Sequence, residues 1–468
     1  MNRTCMGLLL ATLLGLGISG CSFAPEYQRP VMDIPEAWVT PARDSLEVQW
    51  WKRFQDDKLN ALVEEALQNN RDIEQALARV DFAAAQLGIA RSELFPTPGL
   101  SGSSARSRAS RNMPGTVRGY ETRSVHSGDL GVTRWEMDIW GKYRNLSDAA
   151  LAQLLATEAS RDAAWLSVAG QTTRGYFLLR THDLQEATAA NTLKTREEAF
   201  RIYSARYDQG LIDELDLLRV KAEVETARSS LYKTRVGRDA TESALAALLG
   251  RSPREILREG TVERGRAMDD MPTAPVFPAG LPSELLERRP DLRAAEESLK
   301  AMNFNIGTAK AAFFPNISLT GALGFASTEL DSLLTGNART WQFGGGLYLP
   351  LDFWRLQSNL RGAEAKQREA IAAYQQAVQN AFREMRDALS QEEQYANVVR
   401  SLESQVGDLR RAVELAKTRY DNGYSAYLEV LDAERSLFTA ELELAAARNN
   451  HLSGIVNVCL AMGGGWED

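Results

Sequence analysis

The alternation of apolar and polar residues predicts two strands in the second half of the chain. In NISLTGALGF, from Asn316 to Phe325, every second residue is apolar or glycine, which is the pattern of a strand with one apolar face. The stretch WQFGGGLYLPL from Trp341 repeats the pattern, and Pro350 predicts the end of that strand. The positions on the apolar faces are Ile317, Leu319, Gly321, Leu323 and Phe325 in the first strand and Trp341, Phe343, Leu347, Leu349 and Leu351 in the second.

The first half of the chain repeats this order of elements. AQLGIARSELFPTPGLSG from Ala85 aligns with FNIGTAKAAFFPNISLTG from Phe304, and later RYDQG from Arg206 matches RYDNG from Arg419. The first alignment pairs Gly88 with Gly307, Phe95 with Phe314, Pro96 with Pro315 and Gly102 with Gly321 at a constant interval. We therefore predict an internal repeat with copies at residues 59–251 and 281–468, joined by a linker at 252–280 that is rich in Pro and charge. In the first copy GLSGSSAR and GDLGVTRWEMDI alternate poorly, so strands are predicted there mainly from the repeat.

Very long helices are predicted after each pair of strands. No Pro occurs for about 70 residues after Trp140 or after Arg355, which corresponds to helices of about 100 Å at 1.5 Å per residue. Helices of this length favour coiled coils, and small residues recur at alternating steps of three and four in the first copy. That seam consists of Ala149, Ala152, Ala156, Ala159, Ala163, Leu166 and Gly170, and its predicted counterpart in the second copy contains Ala370, Ala373 and Ala377.

The two RYDxG motifs predict the tips of two helical hairpins. Gly210 and Gly423 stand where a helix C-terminus favours left-handed backbone geometry. Each is followed by a residue suited to cap the next helix, Asp213 in the first copy and Ser425 in the second.

The N-terminus has the features of a secretory signal peptide at residues 1–20, with one Arg, a short apolar run and small residues before Cys21. The sequence ISGC also resembles the lipobox of bacterial lipoproteins, in which the Cys becomes the acylated N-terminus. Residues 21–58 are then a lipid-anchored N-terminal segment; the alternative is ordinary cleavage that leaves Cys21 as a thiol. Cys5 is removed with the signal, so Cys21 and Cys459 cannot form a disulfide framework. No later stretch is long and apolar enough to predict a transmembrane helix.

Charge and candidate chemistry exclude several classes of function. The net charge of −8 disfavours a nucleic acid as the main partner, because such partners need a basic surface. The three His residues are scattered, and neither metal-ligand spacing nor a phosphate-binding motif occurs in the mature chain. We therefore expect no enzyme activity, no cofactor and no metal site.

Four strands are too few to close a barrel with room inside, while an apolar strand face needs lipid or another subunit. The residues alone therefore indicate that several chains share one barrel, whose strands of about ten residues have the length that spans a membrane.

Several motifs together resemble those of the TolC family of outer-membrane factors, and most closely its lipoprotein branch in multidrug efflux. They are the lipobox, GLPSELLERRPDL from Gly280, the paired FP helix stops, the RYDxG tips and MGGGW at Met462 to Trp466. The resemblance implies a mainly α fold with a small β part. Three chains are expected to form a homotrimer with a twelve-stranded transmembrane β-barrel in the outer membrane and an α-barrel of coiled-coil hairpins crossing the periplasm. Its implied partners are outer-membrane lipid, a periplasmic adaptor protein and an inner-membrane proton-driven transporter.

The resemblance also implies a periplasmic gate at the second hairpin tip. Leu428 and Asp432 are four residues apart on one helix face, with Glu429 beside them. A ring of Leu side chains excludes water and ions, and a ring of carboxylates repels itself unless it is neutralised. Arg219 occupies the position of Asp432 in the first copy, which leads to the hypothesis that the two pair in the closed state. The alternative is that the acidic residues merely favour the helix dipole and that Arg219 is an exposed side chain.

The resemblance implies that the adaptor docks at the two tips. The alternative is that the two glycines serve only the turn, since any helical hairpin needs glycine there. The residues expected to take part are Tyr207, Gly210, Leu211, Tyr420, Gly423 and Tyr424.

The stretch from Arg106 to His126 carries five Arg residues and is expected to be an outer loop, either solvated or in contact with lipopolysaccharide phosphates.

The function expected from these features is export of drugs or other small toxic compounds, with antibiotic resistance as the consequence. Two alternatives remain: a conduit for type I protein secretion, and a lipid-anchored coiled-coil scaffold that forms no pore.

Overall fold

A computed structural model describes residues 22–35, 49–110, 122–258, 260–272 and 282–464. The predicted signal peptide, Cys21 and Trp466 lie outside these residues, as do positions 111–121 of the predicted outer loop. The helices are α1 (Asp57–Asn69), α2 (Arg71–Ser92), α3 (Lys142–Asp208), α4 (Glu214–Leu248), α5 (Pro253–Ile256), α6 (Leu285–Arg288), α7 (Pro290–Ala311), α8 (Phe353–Asp421) and α9 (Tyr427–Ala461). Short 3₁₀ turns occur at Trp50–Phe54, Met268–Asp270, Pro282–Glu284 and Gly336–Ala338. No helix in the described ranges has the length and apolar character needed to cross a membrane.

The strands are β1 (Pro98–Arg108), β2 (Thr122–Glu136), β3 (Asn316–Ser327) and β4 (Arg339–Tyr348). They form one antiparallel sheet in the order β1-β2-β3-β4. The poorly alternating strands of the first copy are therefore formed, because β2 pairs with β3 of the second copy as well as with β1. The same pairing extends the strands into the predicted outer loop: Arg106, Arg108 and Arg123 lie within β1 and β2, so the expectation of a loop was wrong for these three residues.

The internal duplication is confirmed by the order and length of the elements. Each copy has a helix of 22 residues, two strands, a very long helix and a return helix of 35 residues. The very long helices contain 67 residues in α3 and 69 in α8. Both 22-residue helices end shortly before the Pro-marked stops, at Ser92 and Ala311.

The chain divides into two compact units. The first comprises Met1–Val31, Arg79–Glu158 and Ala294–Gln375, and contains the sheet. Aromatic rings pack where strands meet helices in this unit: Phe314, just before β3, stacks on Trp140 with ring centroids 4.8 Å apart. The Trp140 indole also donates a hydrogen bond to the carbonyl of Pro315 at 2.8 Å.

The second unit comprises Met32–Ala78, Ala159–Arg293 and Gln376–Asp468. Its main core contains Trp50, Trp51, Phe54 and Phe177, all nearly inaccessible to solvent. Buried Asp56 caps α1 by accepting from the amides of Lys58 and Leu59. The hydroxyl of Tyr176 and the amide of Arg266 donate to the same carboxylate, at 2.7 Å and 2.9 Å. Part of the predicted linker is therefore fixed to the core by hydrogen bonds.

The small-residue seam is confirmed in the first copy; in the second, Ala370 and Ala377 are half-buried and Ala373 is exposed within the chain, so contact of that seam with a neighbouring subunit stays a prediction. Most of the seam of α3 is buried, and a Cβ added to Gly170 would lie 2.6 Å from the side chain of Leu460 on α9, so close approach requires glycine there. In α8, Ala373 is exposed, whereas Tyr374, Val378 and Ala381 are buried. Within the chain, the buried face of α8 is thus offset by one residue from the predicted seam.

Candidate functional site

Both hairpins turn through a glycine with left-handed backbone geometry. Gly210 has φ +71° just after α3. Its amide donates to the carbonyl of Tyr207 at 2.8 Å, and the amide of Leu211 donates to the carbonyl of Arg206 at 2.9 Å. These two bonds satisfy carbonyls at the end of the helix that would otherwise lack partners.

The second tip repeats this geometry. Gly423 has φ +76°, and the amides of Gly423 and Tyr424 donate to the carbonyls of Tyr420 and Arg419 at 2.9 Å and 2.8 Å. The prediction of two matching glycine turns is therefore confirmed at the level of the backbone.

The caps after the two turns differ. Asp213 caps α4 as predicted, by accepting from the amide of Asp216 at 2.8 Å. The predicted cap at Ser425 was wrong: α9 begins at Tyr427, and its N-cap is Ala426, which has no side-chain hydrogen bond. Since Ser425 stands one residue too early, its hydroxyl does not reach the first helical amides.

The predicted gate residues lie in the first two turns of α9. Leu428 is 43% exposed, whereas the adjacent Val430 and Leu431 are buried. Asp432 accepts a hydrogen bond from Arg435 at 2.8 Å, and Glu429 lies 3.9 Å from Arg419. The tip thus presents an apolar side chain and two carboxylates, each near an exposed Arg.

Within one chain the structure does not bring Arg219 to Asp432. Arg219 donates to Asp216 on its own helix at 3.4 Å, and Asp432 bonds Arg435 on α9. A pair between Arg219 and Asp432 of different subunits stays a prediction.

The predicted docking residues divide into two groups. Leu211 and Tyr424 are largely exposed, and Tyr207 is moderately so. Tyr420 is instead part of a cluster that joins the two hairpins, which we call the tip cluster: Tyr203, Arg206, Tyr420 and Tyr427. The ring of Tyr203 lies 4.2 Å from that of Tyr427 and 6.4 Å from that of Tyr420, measured between centroids.

Arg206 binds the tip cluster by a hydrogen bond and by its charge. Its Nη1 donates to the hydroxyl of Tyr420 at 2.7 Å. The guanidinium also lies 5.6 Å and 5.9 Å from the ring centroids of Tyr203 and Tyr420, within range of a cation–π interaction. Burial raises the pKa of the phenols of Tyr203 and Tyr427, so both stay neutral. Sequence reasoning missed Tyr203, Arg206 and Tyr427 as site residues. The signal in the sequence was that Arg206 and Tyr420 lie in the RYDxG motifs, with Tyr203 and Tyr427 within one helical turn or so of them.

A second connection between the two hairpins is formed by Arg196 in the second unit. Arg196 on α3 is only 3% exposed and forms an ion pair with Glu223 on α4 at 2.9 Å. It also donates to the backbone carbonyl of Glu223 and lies 5.4 Å from the ring centroid of Phe438 on α9.

The sheet has two chemically different faces. Its register places Leu100, Leu130, Leu323 and Trp341 opposite one another, one from each strand, in a row across the sheet. All four side chains are more than half exposed. Phe343 and Leu347 extend the same face and are also exposed. Because large apolar side chains are exposed across the sheet's full width, this face needs an apolar surrounding.

The opposite face carries small and polar residues. The corresponding row consists of Ser101, Asp129, Gly324 and Thr340. The predicted alternation is therefore confirmed in β3 and β4, except that Leu349 and Leu351, predicted for the same strand, lie beyond its end at Tyr348. The strands β1 and β2 follow the alternation once the register is known.

The segment that follows Cys21 packs along α7 in the first unit. Phe23 stacks on Phe314 with ring centroids 4.7 Å apart. The Arg29 guanidinium forms two hydrogen bonds with Glu296, at 2.9 Å and 2.8 Å, and holds the pKa of that carboxyl below its usual range against the effect of burial. A Cβ on Gly307 would lie 2.7 Å from the amide nitrogen of Ala24, so glycine is required for this close approach.

Comparison with known proteins gives consistent matches along the chain. The sequence model of the family described as outer membrane efflux protein matches residues 62–251 and 281–464. The chain is 34% identical to outer membrane protein OprJ of Pseudomonas aeruginosa over 98% of its length and 96% of that protein. It is 32% identical to the cation efflux system protein CusC of Escherichia coli, over 98% of this chain and 99% of that one.

Among solved structures, the Campylobacter jejuni CmeC outer membrane channel superimposes with a TM-score of 0.90 at 30% identity, covering 96% of each chain. These relatives are channel proteins of efflux systems rather than enzymes, and they confirm the predicted location in the outer membrane. The chain therefore belongs to the outer membrane efflux protein family, the TolC-type channels that its motifs resemble.

Proposed function

We propose that this chain is the outer-membrane channel of a tripartite efflux pump. In this role it passes drugs or other small toxic compounds from an inner-membrane proton-driven transporter and a periplasmic adaptor to the exterior. The observation that carries the proposal is the two-faced sheet, in which exposed Leu and Trp side chains cover one face and Ser, Thr and Gly residues the other. A sheet with this distribution is suited to separate lipid from an aqueous lumen.

The assembly we propose is a homotrimer with one shared barrel. In the described sheet, β1 and β4 are the edge strands, with 11 and 10 residues. Strand edges in a bilayer must be paired, because lipid offers no hydrogen bonds to the backbone. Pairing β4 of one subunit with β1 of the next, three times, closes a barrel of twelve strands.

The gate we propose is a ring of Leu428 and Asp432 from three subunits, with Glu429 next to it. The exposure of Leu428 within the single chain and the placement of both residues early in α9 support this role. In the closed trimer, Asp432 then exchanges its partner Arg435 for Arg219 of a neighbouring subunit. If Arg219→Ala leaves the conductance of the purified protein unchanged, this exchange does not contribute to closure.

Adaptor docking is proposed at the exposed part of the two tips, formed by Tyr207, Gly210 and Leu211 in the first copy and by Gly423 and Tyr424 in the second. Tyr420, which was expected to share this role, is assigned to the tip cluster instead because its hydroxyl is bonded within the chain.

For the N-terminus we propose removal of residues 1–20 and acylation of Cys21, with residues 21–58 as the anchored segment. The packing of Phe23 on Phe314 supports this arrangement, since it fixes the chain two residues after Cys21 beside the start of β3. The two copies, 59–251 and 281–468, and the linker 252–280 then form the channel itself.

Single-channel conductance in planar bilayers tests the proposal, comparing purified acylated wild type with a Leu428→Ala, Asp432→Ala double variant. We expect small, infrequent wild-type currents that become large and sustained in the variant. If the substitutions leave the wild-type conductance unchanged, the protein forms a pore, but its gate lies elsewhere. Absence of channel currents from both correctly folded proteins would favour the scaffold that forms no pore.

The cargo needs a second experiment, because the relatives carry names that refer to different compounds, including antibiotics, toluene and cations. Deleting the gene in its own host should lower resistance to several unrelated drugs, and the wild-type gene should restore it. Unchanged drug resistance together with loss of a secreted polypeptide would favour the type I secretion conduit.

A further inference from the structure

Charged residues on the polar face of the described strands are confined to β2. The register places Arg123, Asp129 and Glu136 on this face, opposite Ser107, Ser101 and Ser318 of neighbouring strands, while Arg134 lies in the irregular stretch between Val132 and Trp135, nearer the Glu136 end of β2. Glu136 is neutralised by an ion pair with Lys142 at 3.1 Å and also accepts a hydrogen bond from Tyr143 at 3.0 Å. Arg123 is the second residue of β2 and so lies at one end of the strand. Asp129 is therefore the charge nearest the middle of the sheet.

The neighbouring strand is shaped to receive the Asp129 side chain. A Cβ added to Gly324 would lie 2.3 Å from Oδ1 of Asp129, so the carboxylate lies over the backbone of β3 at a position without a side chain. Within the described part of the chain no ion pair is formed by Asp129, and its row neighbours Ser101 and Thr340 are uncharged. The carboxylate is thus held on the polar face with its charge not balanced by the sheet.

We propose that Asp129 determines the charge selectivity of the channel within its membrane-spanning part. The inference rests on the proposed function, because three subunits are needed to place three Asp129 carboxylates around one lumen. Such a ring favours inorganic and organic cations over anions on their way to the exterior. It lies in the sheet, so it acts separately from the carboxylates at the hairpin tips.

The expected size of the effect follows from the barrel's dimensions. Twelve strands about 4.8 Å apart and tilted by about 40° give a backbone radius of roughly 12 Å, which places the carboxylates roughly 8 Å from the axis. The Debye length at 0.1 M salt is about 10 Å, so all three charges act on an ion at the axis. After screening they raise the local concentration of a monovalent cation roughly threefold and lower that of an anion by a similar factor.

The experiment measures the reversal potential of single channels in a gradient of potassium chloride. Both proteins carry Leu428→Ala and Asp432→Ala, so that the proposed gate and its carboxylates do not limit the current. Adding Asp129→Asn should lower the ratio of potassium to chloride permeability roughly ninefold, about threefold from each ion. Asp129→Glu, the matched control, keeps the charge and should keep the ratio.

A cysteine variant provides an independent measurement. Asp129→Cys introduces a thiol into a protein whose Cys459 is fully buried. With Cys21 acylated as proposed, no other free thiol is accessible. Reaction with a negatively charged methanethiosulfonate should restore the cation preference, and the positively charged reagent should reverse it. Conducting channels whose permeability ratio is the same for Asp, Asn and both labelled forms would overturn the inference while leaving the proposed function intact. Absence of channels from every protein would instead refute the proposed function.

Discussion

Removing one hydroxyl group from the tip cluster should make the proposed gate open more often. The change is Tyr420→Phe, which keeps the ring and its packing against Tyr203 and Tyr427. It removes only the acceptor to which Arg206 Nη1 donates at 2.7 Å. Since Arg206 belongs to the first hairpin and Tyr420 to the second, the variant weakens a bond between hairpins without altering either helix.

The magnitude follows from the type of bond. A hydrogen bond that involves a charged group contributes about 1.5–3 kcal/mol net. The lower value applies here, because Arg206 is partly accessible to water and keeps its contacts with two rings at 5.6 Å and 5.9 Å. If the bond exists only in the closed state, losing about 1.5 kcal/mol shifts the ratio of open to closed channels about tenfold toward open.

Open probability in planar bilayers measures this shift directly. Tyr424→Phe is the matched control, because it removes a hydroxyl from the same tip at a side chain that is 79% exposed. The control should behave as wild type. If Tyr420→Phe and Tyr424→Phe both leave the open probability within twofold of wild type, the bond between Arg206 and Tyr420 does not hold the tips closed.

Four further outcomes are expected. Arg196→Ala should lower the free energy of unfolding by about 2–3 kcal/mol, measured by denaturant titration, because it leaves Glu223 without its partner beside a buried site; a loss under 0.5 kcal/mol would show that water replaces the pair. Gly423→Val should lower adaptor affinity at least tenfold in pull-down titrations of intact trimers, because a β-branched residue is strained at φ +76°; normal binding would place docking elsewhere. Cys459 should not react with maleimide in the native protein, because the thiol is buried and burial raises its pKa; rapid labelling without denaturant would contradict that burial. Phe23→Ala should increase hydrogen exchange in the segment after Cys21 without altering conductance, because the stack on Phe314 is lost; unchanged exchange would mean that the hydrogen bonds of this segment suffice.

The sequence was most informative where one residue type determines the backbone. Glycine at 210 and 423 predicts left-handed turns because other residues are disfavoured there, and the structure has φ +71° and +76° at these positions. Asp213 could be predicted as a cap because capping also depends on one residue type next to the helix start. Ser425 failed because the helix start also depends on how α9 packs, and a shift of one residue takes a side chain out of reach of the helical amides.

Features that depend on contacts between distant segments could not be predicted. The row from Leu100 to Trp341 exists only once the register of four strands is known, and in β1 and β2 the alternation is obscured by Gly and Ser. A one-residue change in register would exchange the two faces. The face of α8 that is buried within the chain was missed for a related reason: alanines and larger residues both recur along α8 at helical spacing, and only packing shows that Val378 lies inside.

The tip cluster explains why a duplicated motif need not have a duplicated role. Both tips carry Arg-Tyr before their glycine turn, yet only Arg206 of the first copy and Tyr420 of the second are bonded to each other. The counterparts differ: Arg419 has a side chain that is 60% exposed and lies near Glu429, while Tyr207 is accessible at the surface. One copy of each residue therefore joins the hairpins, and the other lies at the surface. Under the proposed function, duplication followed by this division would let each tip combine closure with docking, which a single unpaired hairpin could not do, because its Arg and Tyr would have no second hairpin to bind.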